Sequence, residues 1–221
     1  MTRDELLGEL YDKTLVGNRP AVLDLTTRGL ADGLGPETLL YEALIPALEE
    51  VGARFERGDF FVPEMLIAGK AMAGALDILR PLLAETGAET IGTVVMGTVK
   101  GDVHDIGKNL VNIMFEGAGF QVIDLGVQVS PEKFLDAVRE HQPDILGFSA
   151  FLTTTMPMFK ANINALTKAG LRDKVLVMVG GAPVTQEYAD VVGADGYAAD
   201  ASAAVVKAKE LLRRRRALAN A

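Results

Sequence analysis

The residues best suited to chemistry lie together in Lys100-Gly101-Asp102-Val103-His104-Asp105-Ile106-Gly107-Lys108-Asn109, between the apolar run Thr93-Val94-Val95-Met96 and an amphipathic run beginning at Leu110. This arrangement puts a histidine and a carboxylate partner in one strand-to-helix loop. The 221-residue chain has two histidines and no cysteine, so a closed zinc site of cysteines and histidines is excluded. Ligands other than His104 would have to be carboxylates or His141. The simplest metal chemistry is then one protein ligand to a metal whose coordination sphere is already mostly filled by a macrocycle, as haem or corrin does. Taken alone, the three residues Asp102, His104 and Gly107 also allow plainer roles. Asp102 can cap the next helix, His104 can be a solvated loop residue, and Gly107 can permit close helix-to-sheet packing.

The elements that must position this loop fall into two parts. Residues 1–88 read as helices, because apolar positions recur at spacings of three and four without strand-like alternation. Four segments are expected, Asp4 to Val16, Pro20 to Ala31, Pro36 to Phe55 and Val62 to Leu83, separated by breaks rich in Gly, Asn and Asp. Pro36 and Pro63 sit where a first helical turn tolerates proline. Short connections between four helices imply an antiparallel bundle. A linker is expected near Ala84 to Ala88. From Glu89 the pattern changes to short β-rich runs alternating with amphipathic stretches, which predicts an α/β domain over 89–221 with a doubly wound parallel sheet. Strands are expected at Thr90 to Met96, Gln121 to Asp124, Ile145 to Ser149, Lys174 to Met178 and near Gly196-Tyr197-Ala198. Ligands in such folds sit at the carboxyl ends of the strands where strand order reverses. The His104 loop follows the first strand and so belongs at that edge.

Composition narrows the function. With 22 Lys plus Arg against 30 Asp plus Glu, the acidic balance disfavours non-specific binding to nucleic acid or anionic lipid. The basic tetrad Arg213 to Arg216 reads as a solvated helix C-terminus, where cations suit the helix dipole. His141, in Glu140-His141-Gln142-Pro143, is expected on the surface at the edge opposite the site, and Glu49 and Glu50 on solvated faces. The absence of cysteine fits a reducing compartment. The charged N-terminus lacks the apolar stretch of a signal peptide, and no apolar run approaches the ~20 residues that span a bilayer. A cytoplasmic protein with no membrane or nucleic-acid partner is expected.

Two more segments join the histidine loop: Ser149-Ala150-Phe151-Leu152-Thr153-Thr154-Thr155 after the third strand, and Val179-Gly180-Gly181-Ala182-Pro183-Val184 after the fourth. At these spacings, behind a helical bundle, the three resemble the cobalamin-binding module of methionine synthase and, more closely, the free-standing corrinoid proteins of methyltransferase systems. The resemblance covers nearly the whole chain. It implies a helical bundle cap over residues 1–88 and a Rossmann-like, flavodoxin-like domain over 89–221 that binds cobalamin, as methylcobalamin or another corrinoid of cobalt.

Residue by residue, the resemblance implies that His104 displaces the cofactor's own benzimidazole and becomes the lower axial ligand of cobalt. It implies that Asp102 accepts a hydrogen bond from the other ring nitrogen, a device that fixes tautomer and tunes basicity. Thr155 stands where the family's serine hydroxyl completes this relay. Gly101, Val103 and Asp105 flank the pair as cofactor contacts. Gly107 leaves room for the nucleotide tail, Ser149 meets the displaced base, Thr153 lines the tail pocket, and Gly180 and Gly181 let backbone approach the tail. Ala201 in the last strand-helix loop is a further match. Phe151 replaces the family's usual leucine, which affects the shape of the tail pocket. In the segment Phe60 to Ala68, Met65 with Phe61 and Leu66 resembles the part of the cap over the upper corrin face. Their helical spacing is also that of bundle core.

The function implied is a carrier that accepts a methyl group on cobalt from a donor-specific methyltransferase and passes it to a second methyltransferase, for a thiol or tetrahydrofolate-type acceptor. A reductive activase is a further expected partner, and no autonomous active site is expected. The alternative is a cobalamin-binding sensor or storage module without turnover. A light sensor is disfavoured because the bundle offers no second histidine, the chain has no tryptophan, and no DNA-binding domain fits ahead of residue 4. An adenosylcobalamin mutase would need a barrel. A domain for an ordinary nucleotide lacks the Gly-x-Gly-x-x-Gly fingerprint after its first strand.

Overall fold

The computed structural model describes residues 1–86 and 90–219. The helical half begins with α1 (Arg3–Leu15) and α2 (Arg19–Ala31). Thr2 opens α1 with a capping box: its hydroxyl accepts the Glu5 N–H at 3.3 Å and the Glu5 carboxylate accepts the Thr2 N–H at 2.8 Å. The expected third helix is built of three pieces, α3 (Pro36–Leu39), a π turn (Leu40–Leu44) and α4 (Ile45–Glu56). Pro46 has no N–H to give to the preceding turn, and the wider π turn, closed by the Ile45 N–H on the Leu40 carbonyl, lets the helix run past it. α5 (Val62–Thr86) follows, so helix continues into the stretch read as a linker. Residues 87 and 88 of that stretch, and the expected domain start at Glu89, lie outside the described residues. Leu6, Leu10, Val22, Leu25, Leu44, Leu48, Met72 and Leu79 form the buried centre of this half. Glu50 departs from the expected solvated face. It is half-buried and is held by Arg54 at 2.8 Å and Arg57 at 3.2 Å, one and two turns along the chain.

The remaining elements alternate: β1 (Thr93–Thr98), α6 (Ile106–Gly117), β2 (Gln121–Asp124), α7 (Pro131–His141), β3 (Ile145–Ser149), α8 (Pro157–Lys168), β4 (Leu176–Gly180), α9 (Gln186–Val192), β5 (Gly196–Tyr197) and α10 (Ala201–Ala219). The five strands are parallel in the order β2-β1-β3-β4-β5, so strand order reverses between β1 and β3. This is the doubly wound α/β fold expected. β1 starts at Thr93 and β4 at Leu176, later than expected, because a strand exists only where it has a partner. Thr93 pairs with Gln121 and Leu176 with Ile145, while 172–174 curl into a 3-10 turn. Register matters more than length here. Thr98 lies opposite Ser149, and Ser149 opposite Gly180, so three strands end level and their loops open on one edge.

Beneath that edge, Val95, Leu146, Phe148, Val177 and Val179 pack with Phe134, Phe159 and Val184. Phe148 meets Phe134 edge-on at 4.8 Å. His141 is the last residue of α7 and is exposed. The tetrad corrects its expected reading. Arg215 is half-buried and donates to the Lys174 carbonyl at 2.6 Å and the Asp144 carbonyl at 3.4 Å, because α10 lies along the strand entries and offers its guanidinium to carbonyls there. Arg214 pairs with Glu210 at 2.9 Å. The chain clusters into two compact units, Met1–Ile91 with Ile113–Phe120, and Gly92–Asn112 with Gln121–Ala221. Among the described residues, no helix is long and apolar enough to cross a membrane.

Candidate functional site

β1 delivers its chain to the carboxyl edge and turns through Gly101, whose φ of +87° is the left-handed conformation glycine adopts without strain. Asp102 follows and is fully buried. A buried carboxylate is costly unless its lone pairs are filled, and here they are. Oδ1 accepts from the His104 ring Nδ1 at 2.7 Å and from the His104 main-chain N–H at 3.1 Å. Oδ2 accepts from the main-chain N–H groups of Phe151 at 2.8 Å and Leu152 at 3.1 Å, and lies 2.8 Å from the Thr155 hydroxyl. That hydroxyl is also 2.8 Å from the Leu152 carbonyl. It has one hydrogen, so it serves one acceptor at a time, and the charge-assisted bond to Asp102 is the stronger.

Burial pushes the Asp102 carboxyl up, but the hydrogen bonds from His104, Leu152 and Phe151 outweigh it and hold the group well below the usual carboxylate range. Asp102 is therefore an acceptor, and Nδ1 of His104 must carry the proton between them. In the neutral imidazole this leaves the Nε2 lone pair free. The His104 side chain is 44% exposed, and the ring of Phe151 stacks on it with centroids 4.4 Å apart. Among the described residues, no group of three or more His, Asp or Glu side chains could hold a metal ion. The site offers a metal one oriented imidazole.

The expected site residues of the three loops come together at this edge. Ser149 ends β3 and its carbonyl accepts the Val99 N–H at 3.0 Å; Thr153 is exposed and Thr155 buried. Gly180 ends β4, and its carbonyl accepts the Ala150 N–H at 3.2 Å. Gly181 has φ +130°, and a Cβ there would overlap the Ala150 carbonyl. Gly107 opens α6 beside empty space. Val103 and Asp105 are exposed, and Ala201 is buried at the start of α10. Met65 belongs to the other compact unit and is fully buried, whereas Phe61 is exposed.

Three features escaped sequence reasoning. The main-chain donors of Phe151 and Leu152 carry no side-chain signal. Thr98 is a buried threonine whose hydroxyl reaches the His104 carbonyl at 3.0 Å. Lys108, whose side chain is only 1% exposed, pairs with Asp124 at 2.6 Å; its placement in the run after His104 gave no hint of burial.

A B12 binding domain model matches residues 92–206, and a second B12 binding domain model matches residues 6–80. The chain belongs to the B12-binding domain family. It is 44% identical over 213 residues to the dimethylamine corrinoid protein of Methanosarcina barkeri, covering 96% of this chain and 100% of that protein. It is 37% identical to trimethylamine corrinoid protein 1 of Methanosarcina acetivorans, over 96% of this chain and 99% of that one. Among solved structures, the methanol:cobalamin methyltransferase complex of M. barkeri aligns with TM-score 0.84 at 30% identity, covering 96% of this chain and 81% of that chain. A cobalamin-binding protein from Desulfitobacterium hafniense aligns with TM-score 0.71 at 30% identity, over 94% and 97%.

The residues of this B12-binding domain suit a corrinoid. Phe151 stacks on the imidazole, and Val103, Ile106 and Leu152 of the same two loops also expose apolar side chains, which suits a large, mostly apolar ring better than water. Gly107 leaves open space beside the loop, whereas Gly181 lies against the chain's own Ala150 carbonyl and so serves the packing of the two loops. The Ser202 hydroxyl, in the first turn of α10, is buried with no hydrogen-bond partner among the described residues. Such a polar atom calls for a partner from outside the chain.

Proposed function

We propose that this protein is a cobalamin-binding methyl carrier in which residues 1–88 form the cap, residues 89–221 hold the corrinoid and His104 is the lower axial ligand of cobalt. The single observation that carries the ligand assignment is the 2.7 Å contact between His104 Nδ1 and buried Asp102, with Nε2 left free. Bound cobalamin supplies the cobalt that accepts and releases the methyl group. The chain's own part is to hold a proton on Nδ1, aim Nε2, and keep Asp102 ionised through donors from two loops. Ser149, Thr153, Gly107, Gly180, Gly181 and Ala201 serve the tail, and Gly101, Val103, Asp105 and Phe151 serve the ring and ligand side. Met65 serves the cap.

The protein works between a donor-specific methyltransferase and an acceptor methyltransferase, with a reductive activase as a third partner, and it acts in the cytoplasm. Identity falls from 44% for a dimethylamine corrinoid protein to 37% for a trimethylamine one and 30% for the methanol complex. This supports a methylated amine as the donor served by the partner. The methylamine corrinoid relatives favour the carrier over a sensor or storage role.

The test is reconstitution with hydroxocobalamin, removal of free cofactor and comparison of the absorption spectra of the parent and His104→Ala. A bound corrinoid whose spectrum changes with the substitution supports the ligand assignment. Identical spectra, or no retained corrinoid on folded protein, would remove it.

A further inference from the structure

His104 is also held by a contact that does not involve the Asp102 side chain. Thr98, the last residue of β1, is completely buried, and its hydroxyl donates to the main-chain carbonyl of His104 at 3.0 Å. A valine would satisfy the sheet here equally well. A buried hydroxyl is costly without a partner, so what the threonine adds is this one bond.

Thr98 is itself anchored. Its N–H donates to the Gly126 carbonyl at 3.0 Å and its carbonyl accepts the Val129 N–H at 2.9 Å. The loop that supplies both partners is held in turn, because the Gly126 N–H donates to Asp124 Oδ1 at 2.9 Å while the Lys108 ammonium holds Asp124 Oδ2 at 2.6 Å and donates to Asn109 at 2.7 Å. From the same loop, the Gln128 N–H donates to the Asp102 carbonyl at 3.1 Å. A hydrogen-bonded strut thus runs from α6 through the end of β2 to the main chain of the histidine loop.

The contacts on His104 do different things. Asp102 Oδ1 accepts from the ring Nδ1 and from the main-chain N–H of His104, and Phe151 stacks on the ring, but none of these holds the peptide that leaves His104 towards α6. The Thr98 bond holds that peptide through its carbonyl. Ring and both flanking peptides are then held together, which is what orienting a metal ligand demands.

We propose that Thr98 is a positioning residue for the axial ligand: through the His104 carbonyl it holds Nε2 in register with the site, and its loss shifts the balance from ligated towards unligated histidine without emptying the site. This rests on the reading of His104 as the cobalt ligand.

The experiment uses the full chain loaded with cob(II)alamin, read by electron paramagnetic resonance through the splitting from the axial nitrogen, at a pH where the parent shows both ligated and unligated forms. In the parent, 15N-histidine labelling should convert a triplet splitting into a doublet; no conversion removes the ligand reading, and this proposal with it. Thr98→Val should keep corrinoid stoichiometry and lower the ratio of ligated to unligated histidine by about threefold to tenfold, the scale of one net hydrogen bond. Thr98→Ser should restore the parent ratio. An unchanged ratio in Thr98→Val, or an equal fall in the serine variant, overturns the proposal. In a His104→Ala background Thr98→Val should leave corrinoid retention unchanged; a fall there shows that the residue acts on the fold and also overturns it. If the valine variant does not fold, Thr98→Ala against Thr98→Ser reads the same comparison.

Discussion

The ring of Phe151 covers the imidazole of His104 face to face, 4.4 Å between centroids and 28° between planes, while the main-chain N–H of Phe151 donates to the carboxylate that anchors that imidazole. One residue therefore addresses both members of the pair, the ring through its side chain and the carboxylate through its backbone. Only the first contact depends on residue type.

Phe151→Leu should separate them. The backbone donor remains, so corrinoid stoichiometry and histidine ligation should be retained. The lost stack should lower the unfolding free energy of the cofactor-free protein by about 0.5–1.5 kcal/mol. Denaturant unfolding and the absorption spectrum of the loaded protein check this. A spectral change as large as that of His104→Ala would contradict it.

Asp102→Asn should do more damage. The amide sets its own donors against N–H groups of His104, Phe151 and Leu152, in a position with no access to water. Charge-assisted bonds of this kind are worth about 1.5–3 kcal/mol each, so the variant should lose about 2–5 kcal/mol of stability. Corrinoid affinity should fall about tenfold to hundredfold, measured by equilibrium dialysis on protein shown to be folded.

The same carboxylate sets an acid limit. Its folded pKa lies below the ordinary value of 3.8, so its contribution to stability is complete at neutral pH and is withdrawn as the pH falls below about 4 towards the lowered value. Thermal unfolding of the cofactor-free protein between pH 7 and pH 3 should show a steep loss at the acid end that Asp102→Asn lacks. Parallel curves for the two proteins would contradict the assignment.

Two glycines should respond in opposite ways. Gly181→Ala forces a side chain into the Ala150 carbonyl at a φ of +130°, and should destabilise the fold by more than about 2 kcal/mol. Gly107→Ala meets nothing within 4 Å, so stability should change little or rise through helix propensity. Reduced corrinoid retention in the folded Gly107 variant would mark the open space beside it as part of the binding path; unchanged retention would remove that role.

The sequence carried the parallel sheet, its strands and the histidine loop because each depends on local pattern: β-rich runs, turn residues, and a histidine two places from a carboxylate. It did not carry the strand ends at Thr93 and Leu176, since those are decided by where the neighbouring strand begins. Nor did it carry the π turn ahead of Pro46 or the docking of Arg215 on two carbonyls. The main-chain donors on Asp102 were invisible for a further reason. Any residue type at 151 and 152 other than proline would supply them, so composition holds no trace of their role. Lys108 and Thr98 were misleading in another way, because a lysine near a helix start and a threonine ending a strand are ordinary surface choices, and only the fold makes them interior.

The partners of Asp102 at Phe151, Leu152 and Thr155 stand 49, 50 and 53 residues further along the chain. During synthesis the carboxylate therefore leaves the ribosome long before the donors that keep it ionised in the interior. Until β3 has been made and slotted beside β1, the Asp102 carboxylate lacks the three donors of the second loop. Non-local pairing of this kind is the slow part of assembling a parallel sheet. The loop that carries Asp102 and His104 therefore reaches its finished hydrogen bonding only once the third strand is in place.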